Sequence, residues 1–275
     1  HFEDLLRWTQ GPLYEQVARY LRKFDAWNVK TVLRGLYSGA DAEAIDDDLI
    51  RAGELDDEDL DRLRAATDVA EAVELLADTR WGDALDAALE DYEESGLLVP
   101  LENAVDRTYY EGLLAGVDRG SVDRPTELYV EFLQAEIDFR NVRNALRLAR
   151  SGADFDPAAY YIEGGRLFDE AALRQLAGNE DDLVARVRES TYGDELEAAL
   201  DDLEDADSLV GFERALEAAL LEYSEHLSYT FPLSVCPVLA FVLAKEREVE
   251  NIRAIARGRE AGLTEDEIED ELVML

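Results

Sequence analysis

Three stretches of the 275-residue chain carry one pattern, and that repeat limits the fold more than any other feature: Asp25-Ala-Trp-Asn28-Val-Lys30, Asp138-Phe-Arg-Asn141-Val-Arg143 and Glu248-Val-Glu-Asn251-Ile-Arg253. The register continues past the core of the motif. Six residues after each Asn stands an Arg (Arg34, Arg147, Arg257), at eleven a Gly (Gly39, Gly152, Gly262), and at thirteen a helix-capping type (Asp41, Asp154, Thr264). Copies one and three also share Ile45-Asp-Asp-Asp-Leu49-Ile50 and Ile268-Glu-Asp-Glu-Leu272-Val273. The nearly equal intervals from Asn28 to Asn141 and from Asn141 to Asn251 are far longer than a solenoid repeat, so a domain-sized unit is triplicated. Upstream, Thr79-Arg-Trp81-Gly82-Asp83 resembles Thr191-Tyr192-Gly193-Asp194, and the interval between Gly82 and Gly193 matches those between the Asn residues. The distance from Trp81 to Asn141, measured back from Asn28, falls ahead of His1. The expected units are therefore 1–65, 66–176 and 177–275, the first incomplete at its N-terminal side.

The periodicity is helical. Pro237 to Arg257 shows an apolar sector of Val238, Val242, Val249, Ile252 and Ala256, with Gly258 expected to end the helix and Thr264 with Glu267 a capping box that opens the next. Gly152 is expected to close a helix, Asp156-Pro157 to open another, and the windows Gly82–Tyr92 and Glu213–Tyr223 have strong helix propensity. No alternating strand pattern stands out. The fold class is all-α, with three similar helical units.

Charge narrows the function. Asp and Glu number 65 against 27 Lys and Arg, giving a net charge of -38. Nucleic-acid tracking and docking on anionic lipid both need basic surfaces, and both are excluded. Carboxylates run throughout, and the only lysines are Lys23, Lys30 and Lys245. This is the composition of a halophile, in which salt at ~1 M shortens the Debye length to about 3 Å and screens the crowding. The uncharged stretch Leu227–Ala244 has the length of a short membrane span, yet Pro232 and Pro237 interrupt it, so a buried helix beginning at Pro237 is expected. The lone Cys236, between Val235 and Pro237, reads as a core residue.

Candidates for chemistry are few. Glu222 and His226 are one helical turn apart, but no second His or Cys completes a metal set, and Gly164-Gly165 lacks the further glycines and the lysine of a phosphate loop. On a helix the repeated acid and Asn share a face. Asn is a mediocre mid-helix residue, so its recurrence points to a side chain that bonds the backbone of a neighbouring element. The residues Asp25, Asn28, Arg34, Gly39, Asp138, Asn141, Arg147, Gly152, Glu248, Asn251, Arg257 and Gly262 thus read as a structural signature; a ring of ligands formed by the three acids is the functional alternative. An all-α halophilic enzyme using carboxylate acid/base chemistry, and a helical adaptor unrelated to any rotor, are the rival readings of the whole chain.

The C-terminal third, with Phe231-Pro-Leu-Ser-Val-Cys-Pro, Leu243-Ala-Lys-Glu and Asn251-Ile-Arg…Arg257-Gly258, closely resembles the C subunit of archaeal A-type ATP synthases, a relative of the d subunit of vacuolar-type ATPases. The likeness extends through the repeats to about residue 1. It implies three helical units arranged as a funnel, with no catalytic residues, cofactor or metal. It also implies a socket on the cytoplasmic face of the membrane, peripheral to it. That socket would seat on the proteolipid rotor ring and hold the central-stalk subunits of D and F type, for either proton or sodium coupling.

Overall fold

The computed structural model describes residues 2–115, 117, 124–151, 160–176, 178–194, 196–197, 200, 210–269 and 272. Among these every regular element is a helix, as the 3.6-residue periodicity requires. The chain divides into two compact units, His1–Arg119 with Phe155–Gly164, and Gly120–Asp154 with Gly165–Leu275.

The first unit contains α1 (Phe2–Trp8), α2 (Pro12–Leu21), α3 (Lys23–Ser38), α4 (Ala42–Asp47), α5 (Asp57–Arg64), α6 (Val69–Leu75), α7 (Gly82–Ser95) and α8 (Val99–Ala115). Side-chain caps set the starts of the short helices: Asp41 accepts from the Ala44 N–H, Asp56 and Asp59 close a capping box, and Asp68 accepts from the Glu71 N–H. Each cap satisfies an N–H that the first turn leaves without a partner. Tyr20, Phe24, Leu33, Leu60, Leu85, Leu101 and Tyr110 form the buried core, to which Tyr109 ties the α2 terminus by donating its hydroxyl to the Tyr20 carbonyl at 2.9 Å.

The second unit contains α9 (Arg124–Ser151), α10 (Glu170–Leu176), α11 (Glu180–Arg188), α12 (Val210–Thr230), α13 (Cys236–Ala261) and α14 (Glu265–Glu269). Its core gathers Tyr129, Phe132, Leu133, Leu146, Leu173, Leu183, Leu239 and Val242. The uncharged stretch splits as its prolines require: Leu227–Thr230 finish α12, and α13 starts at Cys236 with Pro237 in its first turn. No helix among the described residues is long and apolar enough to cross a membrane.

Two sequence expectations are corrected here. The helix expected to end at Gly258 runs on to Ala261 and is capped by Gly262, whose φ of 76° is the left-handed conformation a helix terminus uses. Gly258 is a glycine for space instead: a Cβ there would lie 2.7 Å from Cγ1 of Ile268. The apolar sector expected along this helix is also only partly covered, since Val242 is buried but Val249, Ile252 and Ala256 are exposed.

Candidate functional site

The repeated acid and Asn hold backbone. On α3, three residues bring Asp25 and Asn28 to one face, and both are almost completely buried. The Asn28 amide donates from Nδ2 to the Ile50 carbonyl at 2.8 Å and accepts the Ile50 N–H on Oδ1 at 2.8 Å, so one side chain satisfies both polar groups of one residue. One turn earlier, the Asp25 carboxylate accepts the N–H of Glu54 at 2.8 Å and of Leu55 at 3.0 Å. Residues 50–55 are thereby fixed between α4 and α5. Gly53 is required by the closeness of this grip, because a Cβ on it would stand 1.9 Å from Asp25 Oδ1.

The second copy repeats the device with other partners. Asp138 on α9 accepts the N–H of Arg166 at 2.8 Å and of Leu167 at 2.9 Å, and its other oxygen accepts the Tyr192 hydroxyl at 3.1 Å. A Cβ on Gly165 would stand 2.3 Å from Asp138 Oδ1, and Asn141 is fully buried. The two gripped segments, Ile50-Arg-Ala-Gly53-Glu-Leu55 and Ile162-Glu-Gly-Gly165-Arg-Leu167, share an Ile-x-x-Gly-x-Leu signature. Sequence reasoning misses it and weighs Gly165 only as part of a phosphate loop.

Burial pushes the carboxyls of both Asp25 and Asp138 up from the usual range, and the backbone N–H groups that face them pull the other way. The Tyr192 hydroxyl is pushed strongly up, first by burial and then by the Asp138 charge beside it. Its ring also packs edge-on against Phe139 at 4.9 Å between centroids. These acids are aimed at amide groups of the chain itself, which is an anchoring geometry.

Around the grips the two copies match in further detail. Arg34 pairs with Glu102 on α8, and Arg147 makes a two-pronged pair with Glu213 on α12 at 2.5 and 2.7 Å. Glu102 and Glu213 are separated by the same interval as Gly82 and Gly193. The hydroxyls of Thr79 and Ser190 each donate to a carbonyl three residues back at 2.6 Å and accept the N–H two residues on, from Trp81 at 3.3 Å and Tyr192 at 3.1 Å. Structurally, therefore, Thr79 corresponds to Ser190, not to Thr191. Gly82 and Gly193 both permit the tight return that follows, since a Cβ would meet the carbonyl of Ala77 at 2.1 Å or of Arg188 at 2.0 Å.

The third copy keeps the helix end, and its acid and Asn are less buried than those of the first two. Gly39 and Gly262 share φ of 75° and 76° with ψ of 25°. Gly35 admits Ile45 as Gly258 admits Ile268, and Thr264 with Glu267 forms the expected capping box. Yet Glu248 is exposed and paired with Lys245, and Asn251 is only half-buried. Position 273, the counterpart of Ile50, lies outside the described residues, as do Gly152, Asp154 and Asp156-Pro157 of the second copy.

The other candidates show no constellation for catalysis. Glu222 and His226 are both exposed on α12, and Cys236 is buried with its thiol pushed up by burial. A hollow of about 170 Å³ beside Asp138 is lined by Glu131, Phe139, Arg166, Tyr192 and Tyr223, mixing aromatic walls with groups already engaged. No cluster of three or more metal-ligating side chains occurs among the described residues.

Residues 1–271 match the family described as ATP synthase (C/AC39) subunit. The chain belongs to this family. It is 63% identical over 274 residues to the C subunit of the A-type ATP synthase of Haloferax volcanii, covering all of this chain and 78% of that protein. The Halobacterium salinarum protein is 62% identical over 275 residues with the same coverage, and the Methanosarcina barkeri protein 32% identical over 277 residues, covering 74% of its length. The first two come from halophilic archaea, which suits a charge of -38.

Proposed function

We propose that this C/AC39 chain is a non-catalytic rotor subunit, a socket that couples the proteolipid ring to the central shaft of an A-type ATP synthase. Membership of the family carries the reading. The grips support it, because the recurring polar residues are spent on holding the chain's own backbone at Ile50, Glu54, Leu55, Arg166 and Leu167. A torque-bearing part needs such internal stiffness: buried carboxylates satisfied by N–H groups fix a loop far better than exposed ion pairs do. The partners are the D- and F-type stalk subunits and the ring, and the chain works peripherally at the cytoplasmic face, with protons or sodium as the coupling ion. The repeated elements are three copies of one helical unit.

Inverted membrane vesicles depleted of this subunit test the role. ATP hydrolysis by the head should persist while ATP-driven ion uptake is lost, and adding back the full-length subunit in high salt should restore uptake. Loss of hydrolysis by the isolated head, or uptake that survives depletion, would overturn it.

A further inference from the structure

The turn between α12 and α13 carries the two most exposed large hydrophobic side chains among the described residues, Leu233 at 99% and Tyr229 at 83%. Pro232 between them is exposed as well. The turn is built to hold these groups out. The Phe231 N–H donates to the Leu227 carbonyl at 2.9 Å, and the Ser234 hydroxyl donates to the Phe231 carbonyl at 2.8 Å while accepting the Cys236 N–H at 3.1 Å. Pro232 fixes one further backbone angle, buried Val235 and Cys236 anchor the far side, and the Arg124 guanidinium lies over the Phe231 ring at 5.1 Å. A single exposed apolar side chain needs no explanation, but two on the tip of a hydrogen-bonded turn form a knob.

Charge marks the same place. One residue in three of this chain is charged, yet Leu227–Ala244 carries no charge at all. In salt at ~1 M the Debye length is about 3 Å, so exposed ion pairs hold a partner poorly, whereas apolar contact is not screened. A contact surface in that medium is therefore apolar and cleared of carboxylates, as this turn is.

The occupant must be uncharged where it meets the knob and must offer a recess. An anionic lipid surface is excluded by the net charge of -38. A shaft held in a socket meets a concave wall, and a side chain as exposed as Leu233 stands on a projection. A ring of membrane-embedded helical hairpins offers a recess between each neighbouring pair of hairpin ends. Those ends lie where water gives way to hydrocarbon, the setting that suits a tyrosine with an apolar body and a polar tip.

We propose that the α12–α13 turn seats the subunit on the proteolipid ring through Tyr229, Pro232 and Leu233. The inference rests on the rotor reading and adds which part of the chain meets which partner.

A photo-crosslinking p-benzoylphenylalanine at position 233 of the full-length subunit, captured with its complex from membranes in high salt, tests this by mass spectrometry. The expected product is a link to a proteolipid. A link to a stalk subunit, to lipid, to a second copy or within the chain overturns the proposal, as does the absence of any link. In a second measurement, Tyr229→Asp combined with Leu233→Asp should lower retention of the ring by about tenfold or more and leave retention of the stalk subunits and the melting temperature unchanged. Tenfold corresponds to about 1.4 kcal/mol, less than the burial of one such side chain supplies. Undiminished ring retention, loss of ring and stalk together, or a lowered melting temperature refutes the assignment. Co-purification of ring and stalk with the unsubstituted subunit reads the rotor role separately. If both co-purify and the link goes elsewhere, only this inference falls; if neither does, the rotor reading falls and this inference with it.

Discussion

Replacing Asn28 by alanine tests the grip at its most complete point. The amide makes two bonds of 2.8 Å to the N–H and carbonyl of Ile50 from a position 1% exposed. Each bond contributes about 1 kcal/mol net, and a polar group left buried without a partner costs about 1–3 kcal/mol. Ile50 is half-buried, so water can reach part of what is freed. Against this, Ala improves helix propensity by about 0.7 kcal/mol. The balance is a loss of about 2–3 kcal/mol, or roughly 4–12 °C in melting temperature for a chain of this size. Asn28→Asp should be no better: a carboxylate can accept the Ile50 N–H but meets the carbonyl with like charge, one turn from Asp25. Thermal unfolding in ~2 M salt reads both variants. Asn251→Ala should cost clearly less, since that side chain is half-buried. An unchanged melting temperature for Asn28→Ala refutes the anchoring role.

Other outcomes follow from the same geometry. Gly53→Ala and Gly165→Ala each force a Cβ to within 1.9 or 2.3 Å of a carboxylate oxygen and should destabilise by about 2 kcal/mol or more, whereas Gly35→Ala meets the side chain of Ile45 at Cγ1 and Cδ1 and should be partly rescued by Ile45→Ala in a double-mutant cycle. Asp138 has a carboxyl raised by burial, so the folded state holds its proton at pH values where the unfolded chain has released it. The contribution is full below the unfolded value and is lost as pH rises through the folded one. Wild type should therefore lose stability relative to Asp138→Asn as pH climbs from about 4 toward neutrality, and a flat difference contradicts the burial argument. Diluting salt from ~2 M to ~0.1 M extends screening to about 10 Å and should reduce helical circular dichroism, given the net charge of -38; unchanged helicity removes the halophile reading.

Much of this was legible in the sequence because a helix turns residue spacing into shared faces. The recurrence of Asn at a poor mid-helix position pointed to a bond with neighbouring backbone, and Asn28 makes two. The acid's partners were not legible. The Ile-x-x-Gly-x-Leu segment begins one position later relative to Asn28 than relative to Asn141, so a search at fixed offset breaks there, and the need for Gly53 and Gly165 shows only once a carboxylate stands over them. Glycine's two uses also look alike in sequence. Gly258 resembles a helix stop, yet its service is to admit Ile268, and the left-handed cap is Gly262. The stripe through Val249 and Ile252 has the periodicity of a core face, and periodicity says that a face is apolar without saying what covers it.

The rotor role is tested most directly by capturing tagged full-length subunit from solubilised membranes in high salt and identifying what remains bound after washing. A rotor socket should retain the proteolipid ring together with the D- and F-type stalk subunits. Ring and stalk alike should be lost when Asn28→Ala and Asp138→Ala are combined to loosen both grips. Capture of the nucleotide-binding head without ring or stalk, or undiminished capture by the doubly substituted subunit, would contradict the socket role.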